Sequence, residues 1–245
     1  MEKKLRRSWS KLVVMLCISV MNNYGVGISS AAEVSHLPSF EGALPFHLET
    51  GYVTVEKGSE YFYYFVESER NPREDPLILW LIGGPYCAGF TGLVWSIGPL
   101  RFKTDAYNDT SLTLVYNPHS WTRISSIIFL DWPVGAGFSF SQNAEKYTSD
   151  DIHSSKEIYL FLKQWLLRYP GFLSNPAYVG GDSYGGKLVP LVAKEIVQGG
   201  YLVGNGVTAV RADVNSQVPR AHGLGIISDE LFEVLSLSLS LTLYL

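Results

Sequence analysis

Cysteine is nearly missing from this sequence, with two residues in 245, Cys17 and Cys87. That count excludes a disulfide framework. The five histidines are too few and too scattered to make, with two cysteines, a zinc-ligand set. No glycine motif for cradling phosphate is present, so neither a metal nor a nucleotide cofactor is expected. Lysine and arginine form no run beyond the N-terminus, and the formal charge is −4. A chain without a basic face is not expected to bind nucleic acid. No apolar run approaches the roughly 20 residues that cross a bilayer.

What is present is a large stock of core-forming residues, 47% hydrophobic and 13% aromatic, enough for one sizeable α/β domain. The N-terminus stands apart. "MEKKLRRSWSK" is basic, "LVVMLCISVM" (Leu12 to Met21) is apolar, and "ISSAAE" puts Ser30 and Ala32 at small-residue cleavage positions. That order is a secretory signal peptide, taken as residues 1–32. The mature chain is then expected to hold no membrane anchor. A secretory route makes "NDT" at Asn108 a usable glycosylation site. It also leaves Cys87 alone, either a buried free thiol or one half of a disulfide.

Residues 33–233 read as the folded domain. "HLETGYVTVEKGSEYFYYFVES" is a hairpin around Lys57-Gly58-Ser59. "PLILWLIGG" is a strand buried on both faces, and "SLTLVYNP" and "SSIIFLDWP" are further strands. From about Ser154 to Tyr169, apolar residues recur at helical spacing. "AYVGG" is a strand, a helix follows from about Tyr184 to Gln198, and "YLVGNGV" is a strand again. Alternating strands and helices predict a mostly parallel central sheet with an N-terminal antiparallel hairpin. Residues 234–245, a low-complexity Leu/Ser tail, match nothing before them.

The chemistry is concentrated in "GGDSYGG". Gly181-Asp182-Ser183-Tyr184-Gly185 fits G-x-S-x-G between a strand and a helix. There a sharp turn, with small residues on either side, projects the serine hydroxyl from the sheet edge. Ser183 is the candidate nucleophile, and the Tyr184 N–H and the helix N-terminus face the developing negative charge. A second oxyanion donor comes from the loop after an earlier strand, and Gly84 in "LIGGP" is the candidate.

These blocks, together with "YYFVESERNPREDPLILWL", "GGPYC", "NPHSW", "IIFLDWPVGAGFSFS", "NPAYVGGDSYGG" and "AHGLGIISDELFE", resemble the serine carboxypeptidase-like proteins in the same order, from about His36 to Phe232. The plant branch that includes glucose-ester acyltransferases is the nearest in pattern. The resemblance implies an α/β-hydrolase fold, vacuolar or extracellular residence and a Ser-Asp-His triad with Ser183 as nucleophile. It further implies small-molecule acyl donors and acceptors, or peptide C-termini, as partners. Peptide-cleaving members have asparagine where Ile82 stands and glutamate where Asp182 stands, and use both to hold the substrate carboxylate. Ile82 cannot do so, whereas Asp182 is usual in the acyltransferase branch. Tyr86 replaces a glycine beside the oxyanion loop, and Trp132 replaces a smaller or amide residue near the cleft.

The sequence lacks one thing the resemblance requires. In this fold the acid and histidine follow the nucleophile. Here one histidine, His222, follows Ser183, with one aspartate, Asp213, between them, in a single segment where the family has a structural block. His36, His47, His119 and His153 precede the serine. The domain therefore reads as a partial α/β-hydrolase fold, truncated after the nucleophile helix and one further strand. The corresponding family cysteine pairs with one in the absent half, which would leave Cys87 unpaired. Two readings stand: an acyl-serine enzyme by lineage, or a non-catalytic fragment with at most a binding role.

Overall fold

The computed structural model describes residues 31–56, 58–103 and 113–196, and the backbone of 200–206. Residues 1–30 of the expected signal segment, Asn108, Asp213, His222 and the Leu/Ser tail lie outside these residues, while Ala32, the last residue of that expected segment, is in the first strand.

Strong β-formers build the first hairpin. β1 (Ala32–Glu33) pairs with β2 (Leu48–Glu56), which pairs antiparallel with β3 (Ser59–Val66). Gly58, with φ of 83°, lies at the turn between β2 and β3. The apolar runs then give β4 (Leu77–Leu81) and β7 (Ser126–Leu130), every residue of both buried. β9 (Ala177–Ser183) and β10 (Gly200–Gly206) complete a sheet of order β1-β2-β3-β7-β4-β9-β10, with β8 (Phe140–Ser141) beside β3. Strands β7, β4, β9 and β10 run parallel, and the hairpin joins them antiparallel through β3 and β7. "SLTLVYNP" contributes only β6 (Leu114–Tyr116), which pairs with β5 (Leu100–Phe102) in a separate two-stranded sheet.

The strand period of two sends alternate residues to opposite faces. Leu77, Leu79 and Leu81 join one core with Tyr61, Tyr63, Phe65, Ile128 and Leu130. That face is covered by α1 (Asp151–Arg168) through Ile158, Phe161, Leu162 and Trp165, and by α2 (Gly185–Ile196) through Leu188, Val189 and Val192. Ile78, Trp80 and Ile82 point the other way, against Leu93, Val94, Ile97 and Leu114. α1 begins three residues before the apolar periodicity does, because Asp150 caps it by accepting the His153 N–H at 2.7 Å. Among the described residues no helix is long and apolar enough to cross a membrane.

Trp165 centres the helix-side core. Tyr169 stacks on it at 4.4 Å between ring centroids, and Phe65 and Phe172 meet it at 4.9 and 5.6 Å. Trp165→Ala would leave a cavity no neighbour can fill, so it is expected to cost about 3–5 kcal/mol of stability, read from denaturant midpoints at constant m-value. At the far end of the sheet, Asp75 holds the chain entering β4. It accepts from the Arg70 guanidinium, from Ser68 Oγ at 2.6 Å and from Asn71 N–H at 2.9 Å. The Arg70 bonds lead these effects in lowering its pKa to about 2. A lowered carboxyl pKa stabilises above the unfolded value near 4, and that contribution is lost as pH falls toward 2. Asp75→Asn should therefore reduce stability at neutral pH and flatten its acid-side decline, measured as melting temperature against pH.

Candidate active site

The turn at Ser183 is made by close approach of backbones. β9 pairs with β4 so that Gly181 lies opposite Leu81. A Cβ at Gly181 would stand 2.6 Å from the Leu81 carbonyl oxygen, and one at Gly185 would overlap the same oxygen. Only glycine at both positions lets the chain leave β9 and enter α2 directly above the end of β4. Ser183 itself has φ of 49° and is exposed. A non-glycine residue in that region stores about 1–2 kcal/mol of strain, which the surrounding contacts must hold. No described His, Asp or Glu side chain hydrogen-bonds its Oγ.

The loop after β4 closes over the turn. A Cβ at Gly83 would lie 2.6 Å from Ser183 Cβ, 2.7 Å from Tyr184 N and 3.0 Å from Ser183 Oγ. Gly83 is thus pressed against the serine and the Tyr184 amide, and Gly84, the next residue, is exposed with φ of 125°. Gly83 was not among the residues singled out from sequence, although the paired glycines of "LIGGP" were the signal. The Gly83 backbone N–H acts on the Asp182 carboxylate, and the buried Asp182 Oδ1 has no partner among the described residues. Burial pushes the Asp182 carboxyl up, and hydrogen bonds from its own N–H and that of Gly83 oppose this.

Tyr184 ties the elbow to α1. Its hydroxyl donates to Asp151 Oδ1 at 2.8 Å, Lys187 Nζ meets Asp151 Oδ2 at 3.0 Å, and Lys187 lies over the Tyr184 ring at 4.5 Å. Tyr86 has φ of 74°, which explains why glycine suits that position. It is 46% exposed, and its hydroxyl donates to the Tyr147 carbonyl at 3.2 Å. Cys87, exposed and free, lies against Gly84. Ile82 and Trp132 are inside the cores, 4% and 1% exposed, and Trp132 Nε1 has no described partner. The structure therefore gathers Ser183, Tyr184, Asp182, Gly83 and Gly84 at one point and packs Ile82 and Trp132 beneath the surface.

The histidines before the serine bond elsewhere. His36 meets Ser35 at 3.0 Å, His47 lies 3.7 Å from Glu33, and His153 lies 3.2 Å from Glu157. His119 lines an open groove of about 920 Å³ with Glu69, Arg70, Trp121 and Arg123. Glu56, His153 and Glu157 bring their ligand atoms within 4.8 Å of one another. Lys146 occupies that group as its cation, paired with Glu56 and 3.3 Å from His153 Nε2.

A serine strained into a strand-to-helix elbow of a parallel sheet, with a glycine loop from the neighbouring strand against it, is the α/β-hydrolase arrangement. The fold agrees with that of Kex1Δp, a prohormone-processing carboxypeptidase from Saccharomyces cerevisiae. The TM-score is 0.62 at 24% identity, over 75% of this chain and 44% of that one. The serine carboxypeptidase family matches residues 38–242. Serine carboxypeptidase-like 14 of Arabidopsis thaliana is 45% identical over 94% of this chain and 56% of its own length. Serine carboxypeptidase-like 3 of the same plant is 50% identical over 85% of this chain and 50% of its own. The chain belongs to the serine carboxypeptidase family and spans about half the length of these curated relatives.

The elbow's dependence on glycine is directly measurable. Gly185→Ala drives a methyl into the Leu81 carbonyl and is expected to cost about 1–3 kcal/mol. Gly171→Ala, where nothing lies within 4 Å, should change stability by less than about 0.5 kcal/mol. Equal effects in thermal unfolding would contradict the packing described.

Proposed function

We propose that Ser183 is the nucleophile of an acyl-transfer reaction. Its Oγ attacks the carbonyl carbon of an ester or amide, and the oxyanion is received by the N–H groups of Gly84 and Tyr184. The observation that carries this reading is the exposed, strained Ser183 held against Gly83 at the end of β4. Collapse of the tetrahedral intermediate expels the alcohol or amine and leaves acyl-Ser183, which water or an acceptor hydroxyl then relieves. Membership of the serine carboxypeptidase family supports small-molecule acyl groups or peptide C-termini as substrates.

The residues around the serine favour ester-type acyl transfer over release of C-terminal amino acids. Ile82 is apolar and buried, and offers no hydrogen bond to a substrate carboxylate. The basic-apolar-small order of residues 1–32 and the Asn108 tripeptide support passage through the secretory pathway to a vacuolar or extracellular location.

The closeness of Gly83 to Ser183 and the Tyr184 amide supports the oxyanion part of this reading, and no described His, Asp or Glu side chain bonds Ser183 Oγ to serve as its proton acceptor. A general base contributes about 10²–10⁴-fold. In the 245-residue chain Ser183 is therefore expected to react with a fluorophosphonate probe at least about 100-fold more slowly than an active serine hydrolase does. The residual labelling should vanish in Ser183→Ala. Labelling at the full rate, lost in that variant, would show that the chain has its own base and overturn this division of the site.

A further inference from the structure

Asp131 directly follows β7, at the same end of the sheet where Ser183 leaves β9. Its side chain is fully buried, and no described Lys, Arg or His pairs with it. The carboxylate instead accepts two backbone amides, Gly89 N–H at 2.5 Å through Oδ1 and Phe138 N–H at 2.8 Å through Oδ2. These amides belong to different loops. One loop carries Gly83, Gly84 and Tyr86; the other follows Trp132 and brings Gly135 beneath the Tyr86 ring.

Both approaches need glycine. A Cβ at Gly89 would stand 3.0 Å from the Phe129 backbone, and one at Gly137 would overlap Asp131 Oδ2. The backbone of Asp131 is equally fixed. Its N–H donates to the Phe62 carbonyl at 3.0 Å. Its own carbonyl accepts Ser139 Oγ at 2.6 Å, and that hydroxyl accepts Phe62 N–H at 2.8 Å. β3, β7 and both loops therefore meet on one residue.

We propose that Asp131 is a positioning residue that holds the oxyanion-side loop, and with it Gly84, by carrying the Gly89 and Phe138 amides on one ionised carboxylate. Its meaning for catalysis rests on the acyl-transfer reading above; the latch itself does not. An ionised carboxylate accepts on both oxygens, whereas the protonated acid presents a donor where one amide already points. Protonation thus releases one of the two loops.

The surroundings place this exchange within reach of mild acid. Tyr52 from β2 and Tyr64 from β3 are the titratable groups facing Asp131, and both are neutral phenols with raised pKa values. From the loops, the Gly89 and Phe138 amides bond the carboxylate. Burial pushes the Asp131 carboxyl up to about 6, and the two amide bonds oppose this. The folded value exceeds the unfolded value near 4, so the folded chain binds this proton more tightly. The carboxylate's contribution to stability falls as pH rises between these values, and the latch is made above about pH 6 at the cost of burying a charge.

The test is an amide ¹H–¹⁵N titration of the whole chain from about pH 4.5 to about 7.5. Gly84, Gly89 and Phe138 are expected to share one step with a midpoint near 6. Asp131→Asn should abolish the step. Ser139→Ala, which cuts the backbone anchor and leaves the carboxylate, should retain it. No step at Gly89 and Phe138, or a step that survives Asp131→Asn, would overturn the latch. A step at those two amides without one at Gly84 would overturn the positioning role. None of these readings depends on nucleophilic turnover, so they stand apart from the labelling of Ser183.

Discussion

The end of β4 is the constraint on which this structure depends. The Leu81 carbonyl faces Gly181 on one side and Gly185 on the other, and Gly83, two residues on, presses against Ser183. Three glycines around one strand terminus let three backbone segments approach more closely than any side chain permits. The elbow is therefore a packing result before it is a chemical one. Ser183 takes a left-handed conformation because the chain has no other way to pass from β9 into α2 over β4. The glycines, not the serine side chain, are what the close approach of the backbones requires.

Much of this was legible in the sequence, for reasons that can be named. "PLILWLIGG" alternates Leu77, Leu79 and Leu81 with Ile78, Trp80 and Ile82, all apolar, which is how a strand covered on both faces reads. α1 announced itself through Ile158, Phe161, Leu162 and Trp165 at helical spacing. The strand-to-helix turn at Ser183 was visible because G-x-S-x-G states its own steric requirement. Less legible was the separation of Leu114–Tyr116 from the main sheet, since a three-residue strand carries no pattern that says which neighbour it will pair with. Gly83 and Asp131 were missed for a related reason. Each matters through what lies against it from distant sequence, and a lone aspartate in "LDWPVG" looks the same paired or unpaired.

Tyr86 shows the opposite case, where a departure in sequence acquires a physical content only in the structure. Its φ of 74° is one that glycine takes freely and tyrosine takes at some expense of strain. The ring finds compensation, resting near Gly135 with its hydroxyl on the Tyr147 carbonyl. The substitution consequently joins the oxyanion-side loop to the loop after Trp132 at the surface, as Asp131 joins them underneath. Two links between the same pair of loops, one buried and ionisable and one exposed and aromatic, make these loops a single unit bordering the serine.

In the acyl-transfer reading, two requirements of a serine enzyme rest on different contacts. The strain on Ser183 and the amides beside it are fixed by contacts within the sheet, α2 and two loops, all of them among the described residues. None of those contacts involves a proton acceptor for Oγ. Oxyanion stabilisation is a matter of preorganised dipoles, which need a rigid frame and nothing more. Nucleophile activation needs a base at hydrogen-bond distance, which the fold mounts on later loops. In the acyl-transfer reading, the turn that presents Ser183 is made among the described residues, and removing the Oγ proton is the step left to a base.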